Sequence, residues 1–188
     1  MKRLAVFASG NGSNFQAILD QIQNGPLEAE IALVVCDKPE AGVIERAKKA
    51  DIPVFSFVPK EYESKAHFEA DILAALHQHQ IDLVILAGYM RLIGPTLLGA
   101  YTNKIVNIHP SLLPAFPGKD AIGQAFQAGV KVTGVTIHFV DAGMDTGPII
   151  AQQAIDITND DTVETIADKV HKVEHALYPK VIKELVSK

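Results

Sequence analysis

The chain has 188 residues, of which 48% are hydrophobic and 21% charged, and a formal net charge of -5 at pH 7. Those values exclude general disorder and fit one folded domain that buries ~70% of its extended-chain surface without staples. The acidic balance argues against a general nucleic-acid or anionic-membrane binder and leaves room only for a local basic pocket.

The single cysteine, Cys36, excludes an internal disulfide and a four-cysteine zinc site, and fits a reducing compartment. Met1-Lys2-Arg3 before a short apolar run looks like the start of a secretion signal, but Gly10, Asn11, Gly12, Ser13 and Asn14 interrupt it at once. No apolar run approaches the ~20 residues of a membrane span. A cytoplasmic protein without a membrane partner is expected.

In chain order, residues 4–8 read as a short buried strand. Residues 13–23 carry Phe15, Ile18, Leu19 and Ile22 at helical spacing, and Gly25-Pro26 stops that helix. A strand at 31–36, a helix at 41–50 and a strand at 53–57 follow. Residues 61–80 predict a long amphipathic helix with Phe68, Ile72, Leu73 and Leu76 on one face. The apolar run at 82–87 predicts a strand covered on both faces. Pro95 opens a short helix reaching Tyr101, and 104–108 is a fifth strand. Residues 109–118 hold three prolines and predict a loop of fixed geometry, with Leu113-Pro114 a candidate cis peptide. After a helix at 119–128, the runs 132–140 and 148–157 predict an antiparallel pair at the far end of the sheet. A final helix spans 162–185, and Pro179 should kink it or start a second segment. Repeated βα units imply an α/β fold: one doubly wound, mostly parallel twisted sheet with helices on both faces. Functional residues in such sheets sit at the carboxyl ends of strands, where all the motifs below are expected.

The loop Ser9-Gly10-Asn11-Gly12-Ser13-Asn14 joins the first strand to the first helix. Glycines allow close backbone approach to an anion, and a helix N-terminus offers free N–H groups, so the loop reads as a phosphate cradle or as an ordinary capped helix start. Phe15 stands where a dinucleotide fingerprint needs its third glycine, which disfavours a nicotinamide site although Asp37 could mimic its ribose acid. Asn107 and His109 lie two apart at a strand end and face one side, a pairing suited to a developing oxyanion; the plain alternative is a turn cap and a core histidine. The glycine-flanked loop from Val140 to Pro148 carries Asp141 and Asp145, one of which could orient His109 and favour its protonated form, although Asp and Gly also simply make turns. Gly88 to Gly94 sets Arg91 among Met90, Leu92 and Ile93, suiting a flat aromatic ligand or a packed hydrophobic loop. Val170, Glu174, Leu177 and Val181 share a helix face, so Glu174 points inward and needs a partner. His171 and His175 have metal spacing, but no third ligand is evident, and no metal is expected.

From end to end, in order and spacing, these segments resemble glycinamide ribonucleotide formyltransferases of purine biosynthesis. The resemblance rests on Gly10-Asn11-Gly12-Ser13-Asn14, on Asn107-Ile108-His109-Pro110-Ser111-Leu112-Leu113-Pro114, on the run from Gly134 through Asp145 to Ile150, and on Glu174-His175-Ala176-Leu177-Tyr178-Pro179. It implies a Rossmann-like single domain over 1–188, with a phosphate-binding half to about 100 and a catalytic half beyond. The implied reaction moves a formyl group from 10-formyltetrahydrofolate, a co-substrate, to the primary amine of glycinamide ribonucleotide. By that match Asn107, His109 and Asp145 are catalytic; Gly12, Ser13 and Asn14 hold the substrate phosphate; and Glu174 contacts the ribonucleotide. Met90, Arg91, Leu92 and Ile93, with Val140, Asp141, Ala142, Gly143 and Met144, hold the folate, and Lys65 matches a basic position near it. Some relatives carry a histidine where this chain reads Lys119-Asp120-Ala121. The expected partners are small molecules and no nucleic acid, with the protein a monomer or homodimer.

Competing readings are a formyltetrahydrofolate hydrolase, a formyltransferase for another amine and, more remotely, a nicotinamide-dependent oxidoreductase or a non-catalytic nucleotide-binding module. Methionyl-tRNA formyltransferases resemble this domain but add a nucleic-acid-binding domain for which 188 residues leave no room. The hydrolases carry an extra N-terminal domain, whereas this chain opens directly on its first strand.

Overall fold

The alternating patterns fold into seven strands and six helices in the computed structural model, which describes all residues, Met1–Lys188. In chain order these are β1 (Lys2–Ala8), α1 (Ser13–Asn24), β2 (Ala29–Cys36), α2 (Gly42–Lys49), β3 (Val54–Ser56), α3 (Lys65–Gln78), β4 (Leu83–Leu86), α4 (Pro95–Ala100), β5 (Ile105–His109), α5 (Ala121–Ala128), β6 (Val132–Phe139), β7 (Ile149–Asp156) and α6 (Val163–Val186). One sheet holds all the strands in the order β3-β2-β1-β4-β5-β6-β7. The first five run parallel, whereas β6 is antiparallel to both β5 and β7. No helix is long and apolar enough to cross a membrane.

Side-chain alternation splits the interior into two cores. Leu4, Val6 and Ala8 of β1 face α1, α2 and α6, together with Val106 and Ile108 of β5 and Val135 and Ile137 of β6. Ala5 and Phe7 of β1 face the other way, packing with Phe68, Ile72 and Leu76 of α3 and Leu97 of α4. This second core takes Ile105 from β5 but no side chain from β6 or β7. That part of the face is therefore left to loops, and the polar residues of β5 and β6 gather there.

Three local expectations change. The long helix expected from residue 61 begins at Lys65, because Pro59–Glu61 forms a separate 3-10 turn and the Ser64 hydroxyl caps α3 by accepting from the His67 N–H. α6 continues through Pro179 rather than dividing there. Tyr178, Pro179, Val181 and Ile182 are all buried, so packing overrides the loss of one helical hydrogen bond. The third change concerns β6, whose antiparallel direction carries its exit loop to the opposite end from the other motifs. The Leu113–Pro114 peptide is cis.

Tyr178 ties α6 to the strands that end beside the polar face. Its fully buried hydroxyl donates to the Leu86 carbonyl at 2.7 Å and lies 3.1 Å from that of Val106. Tyr178→Phe should lower unfolding free energy by about 1–2 kcal/mol, read as a lower urea midpoint at unchanged slope. An unchanged midpoint would show that the hydroxyl contributes nothing net.

Candidate active site

The strand register brings the polar residues together. Asn107 pairs with His138 and His109 with Thr136, so four polar side chains share the uncovered face of β5 and β6. The proline-bearing loop covers them from one side. Leu113 N–H donates to Thr136 Oγ1 at 3.0 Å, and the Thr136 hydroxyl donates to the Ser111 carbonyl at 2.7 Å.

The loop after β6 covers them from the other side. It leaves beside the start of β5, where Val140 N–H donates to the Ile105 carbonyl at 2.9 Å. It then folds back so that Asp145, in a left-handed conformation (φ 56°), reaches the far end of β5. Aspartate is among the few side chains that adopt this backbone readily. Asp141 serves the turn instead: one carboxylate oxygen accepts from Thr146 Oγ1 at 2.6 Å and Gly143 N–H at 3.0 Å. Those donors, the Thr146 hydroxyl first, hold its carboxyl below the usual range. Of the two acids left open by the loop's sequence, only Asp145 meets His109.

Hydrogen-bond partners define the cluster further. His109 Nε2 lies 2.8 Å from the Phe116 carbonyl, which can only accept, so Nε2 carries a hydrogen. His109 Nδ1 lies 3.5 Å from Asp145 Oδ2, and that oxygen accepts from Gly118 N–H at 2.9 Å. Nδ1 thus faces the Asp145 carboxylate. His138 was not among the residues singled out from the sequence. Its Nδ1 donates to the Phe139 carbonyl at 2.8 Å, leaving Nε2 to accept from Asn107 Nδ2 at 3.4 Å. Asp145 Oδ1 stands 3.8 Å from the same Nε2. One amide hydrogen of Asn107 is committed to His138 and the other remains free.

The loop before α1 leaves its backbone donors unpaired. Gly12, in the left-handed region (φ 80°), is the N-cap, and no side chain caps the helix. Ser13 and Asn14 are the first helical residues rather than side-chain caps. After Ser9 N–H, the next backbone donor to find an acceptor in the chain is Gln16 N–H, bonded to the Gly12 carbonyl at 2.9 Å. The N–H groups of residues 10–15 have no acceptor in the chain. Asn14 Nδ2 donates to Glu174 Oε2 at 3.4 Å, while its Oδ1 is buried without a partner. Asn14 therefore links the loop to α6 instead of adding a free amide donor to the cradle. Glu174 points inward as its spacing predicts, and burial raises its carboxyl above the usual range, partly offset by His171 and Asn14.

The loop after β4 borders the cradle. Met90 N–H donates to the Ser9 hydroxyl at 2.9 Å, and Gly94 N–H to buried Glu69 at 2.8 Å. Arg91 Nε donates to Asp37 at 2.8 Å, so Asp37 is spent on an arginine and is no ribose acid. Met90, Leu92 and Met144 are exposed apolar side chains. Ile93 is not: it belongs to the second core and offers a ligand only its backbone. Val140 is half-buried; Ala142 and Gly143 are exposed; and Lys65 is exposed at the start of α3. The rings of His171 and His175 stack at 6.4 Å. His138 and Glu69 are the contributors missed from the sequence, and Asp37 takes a different role from the ribose acid weighed there. Only Thr136 and His138, polar at alternate positions of an apolar strand, gave a signal, legible once β6 is known to lie beside β5.

The chain matches a family model described as formyl transferase over residues 2–182. It is 63% identical over 186 residues to the phosphoribosylglycinamide formyltransferase of Bacillus subtilis, covering 99% of this chain and 95% of that one. It is 38% identical to part of the human trifunctional purine biosynthetic protein adenosine-3, covering 98% of this chain and 18% of that protein. Among solved structures, phosphoribosylglycinamide formyltransferase from Bacillus halodurans superposes with a TM-score of 0.97 at 58% identity, covering 100% of this chain and 96% of that one. Glycinamide ribonucleotide transformylase 1 from Geobacillus kaustophilus gives 0.96 at 63%, covering 98% of each. With its fold and residues 2–182 both matched, the chain belongs to the formyl transferase family.

Proposed function

We propose that the protein transfers the formyl group of 10-formyltetrahydrofolate to the primary amine of glycinamide ribonucleotide, a step of purine biosynthesis. The observation that carries this reading is that Asp145 approaches both His109 and His138 on the sheet face, with Asn107 bonded to His138 beside them. The cradle before α1 suits a small phosphorylated acceptor: Gly12, Ser13 and Asn14 offer unclaimed N–H groups to the phosphate, and Glu174 receives a sugar hydroxyl or the amine. Exposed Met90, Leu92 and Met144, with the backbone of Ile93 and residues 140–143, suit a flat heteroaromatic ring. Arg91 and Lys65 would face the donor's more polar parts.

When bound, the folate would supply the formyl group as an N-formyl amide whose nitrogen is the leaving group. Asn107 turns its free amide hydrogen toward the carbonyl oxygen, where negative charge builds as the amine attacks carbon. His109 Nε2 is occupied by the Phe116 carbonyl, so Nδ1 is the nitrogen that donates to the oxyanion. Its 3.5 Å separation from Asp145 is long enough for that hydrogen to be shared. Asp145 stabilises the charged ring and accepts the proton lost by the attacking amine, directly or through water. The proton then passes to the nitrogen that leaves as its bond to the formyl carbon breaks, and such relays contribute ~10²–10⁴-fold. No enzyme-bound formyl group is needed.

The test is formyl-donor consumption in a purified reaction, expected only when glycinamide ribonucleotide is present; equal turnover without it would establish a hydrolase instead. Asn107→Ala should reduce kcat about 10²–10³-fold with the fold intact, as removal of one oxyanion donor does elsewhere. His109→Ala should reduce it at least as far, and a His109→Ala protein with near-parental turnover would remove the proposed trio. For Glu174, burial raises the folded carboxyl above its unfolded value near 4.5, so its ionised form costs stability at higher pH and that cost disappears on acidification. Glu174→Gln should therefore hold its melting temperature better than the parent between pH 5 and 8, approximately, while raising KM for the ribonucleotide. Parallel melting curves across that range would contradict the burial argument.

A further inference from the structure

Arg46 stands on α2, outside the groups assigned above, yet its side chain is spent on the phosphate loop. Its Nε donates to the Asn11 carbonyl at 2.8 Å, Nη1 to Gln16 Oε1 at 3.2 Å, and Nη2 lies 3.5 Å from Asn11 Oδ1. One turn earlier on α2, Val43 N–H donates to the Gly10 carbonyl at 3.1 Å. The loop is pressed close against this helix. A Cβ on Gly12 would stand 2.7 Å from Val43 Cγ2, and one on Gly42 would stand 3.1 Å from Asn11 Oδ1.

The consequence follows from peptide geometry. In a trans peptide the C=O and the next N–H point in opposite directions. Drawing the Gly10 and Asn11 carbonyls toward α2 turns the N–H groups of Asn11 and Gly12 away from it. Neither N–H has an acceptor in the chain, and they extend the row of free donors at the start of α1. Without Arg46, the Asn11 peptide is free to rotate its carbonyl into the cradle, where it would repel an anion. Arg46 also makes no ion pair, so its charge is not neutralised by an acidic neighbour.

We propose that Arg46 is a positioning residue for ribonucleotide binding, holding the carbonyls of the 10–12 loop on α2 so that its N–H groups face the substrate phosphate. This rests on the phosphate-cradle reading and adds a determinant beyond the residues that touch the phosphate.

The experiment is steady-state kinetics on the parent, Arg46→Ala and Arg46→Lys proteins, with inorganic phosphate as a competing probe. In the parent, phosphate should compete with the ribonucleotide and not with the formyl donor. Arg46→Ala should raise KM for the ribonucleotide and Ki for phosphate together, by about 10- to 100-fold for loss of charge-assisted hydrogen bonds. Its kcat at saturation and KM for the formyl donor should stay near parental values, a split that general damage to the fold would not produce. Arg46→Lys should recover only part of the loss, because an ammonium keeps the charge but lacks the fork that spans Asn11 and Gln16. If phosphate competes in the parent but Arg46→Ala leaves both constants unchanged, the positioning role is wrong and the cradle stands. If phosphate does not compete in the parent, the cradle reading fails and this inference with it.

Discussion

The antiparallel pairing of β5 with β6 is the constraint on which the site depends. Its register sets Asn107 across from His138 and His109 across from Thr136. A slip of one residue would turn Asn107 and His109 into the apolar core beneath α6 and bring Val106 and Ile108 out. The surrounding core resists that slip, because Val106, Ile108, Val135 and Ile137 are all buried on the opposite face. Hydrophobic packing on one side of the sheet thus locks the polar geometry on the other. The loop after β6 completes the cluster only by folding back over the sheet, and the Gly118 N–H holds Asp145 there.

The two proposed ligand regions meet where the sheet changes winding. β1 is an interior strand, with β2 on one side and β4 on the other, and its exit loop stands at the switch point of the strand order. Ser9 stands at that point. Its N–H donates to the Gly88 carbonyl at 3.0 Å and its hydroxyl accepts from Met90 N–H. The loop with the anion cradle and the loop proposed to hold the formyl donor are therefore bonded to each other before either ligand arrives.

Buried carboxylates hold these loops at some energetic cost. Asp37 accepts from Arg91, Glu69 from the Gly94 backbone and Glu174 from Asn14, yet Asp37 and Glu69 each keep a buried oxygen without a partner. Charged groups buried so incompletely oppose folding. Burial raises the Glu174 carboxyl in the same way, and its Oε2 accepts from the Asn14 amide.

Period-two and period-3.6 patterning made the order of elements legible, because each strand and helix buries one side of its own repeat. The glycine loop, Asn107 with His109, and Glu174 were legible for the same reason: their relations are local, set by a single turn, strand or helix. Tertiary structure decided what depends on separate segments meeting. It carried α6 through Pro179 by burying the residues around it, and distinguished Asp145 from Asp141 by folding a loop back over an antiparallel strand. It also joined His138 to Asn107 and Asp37 to Arg91. Spacing along the chain describes how one element presents its side chains; which elements become neighbours, and in what register, is settled only when their apolar faces pack against one another.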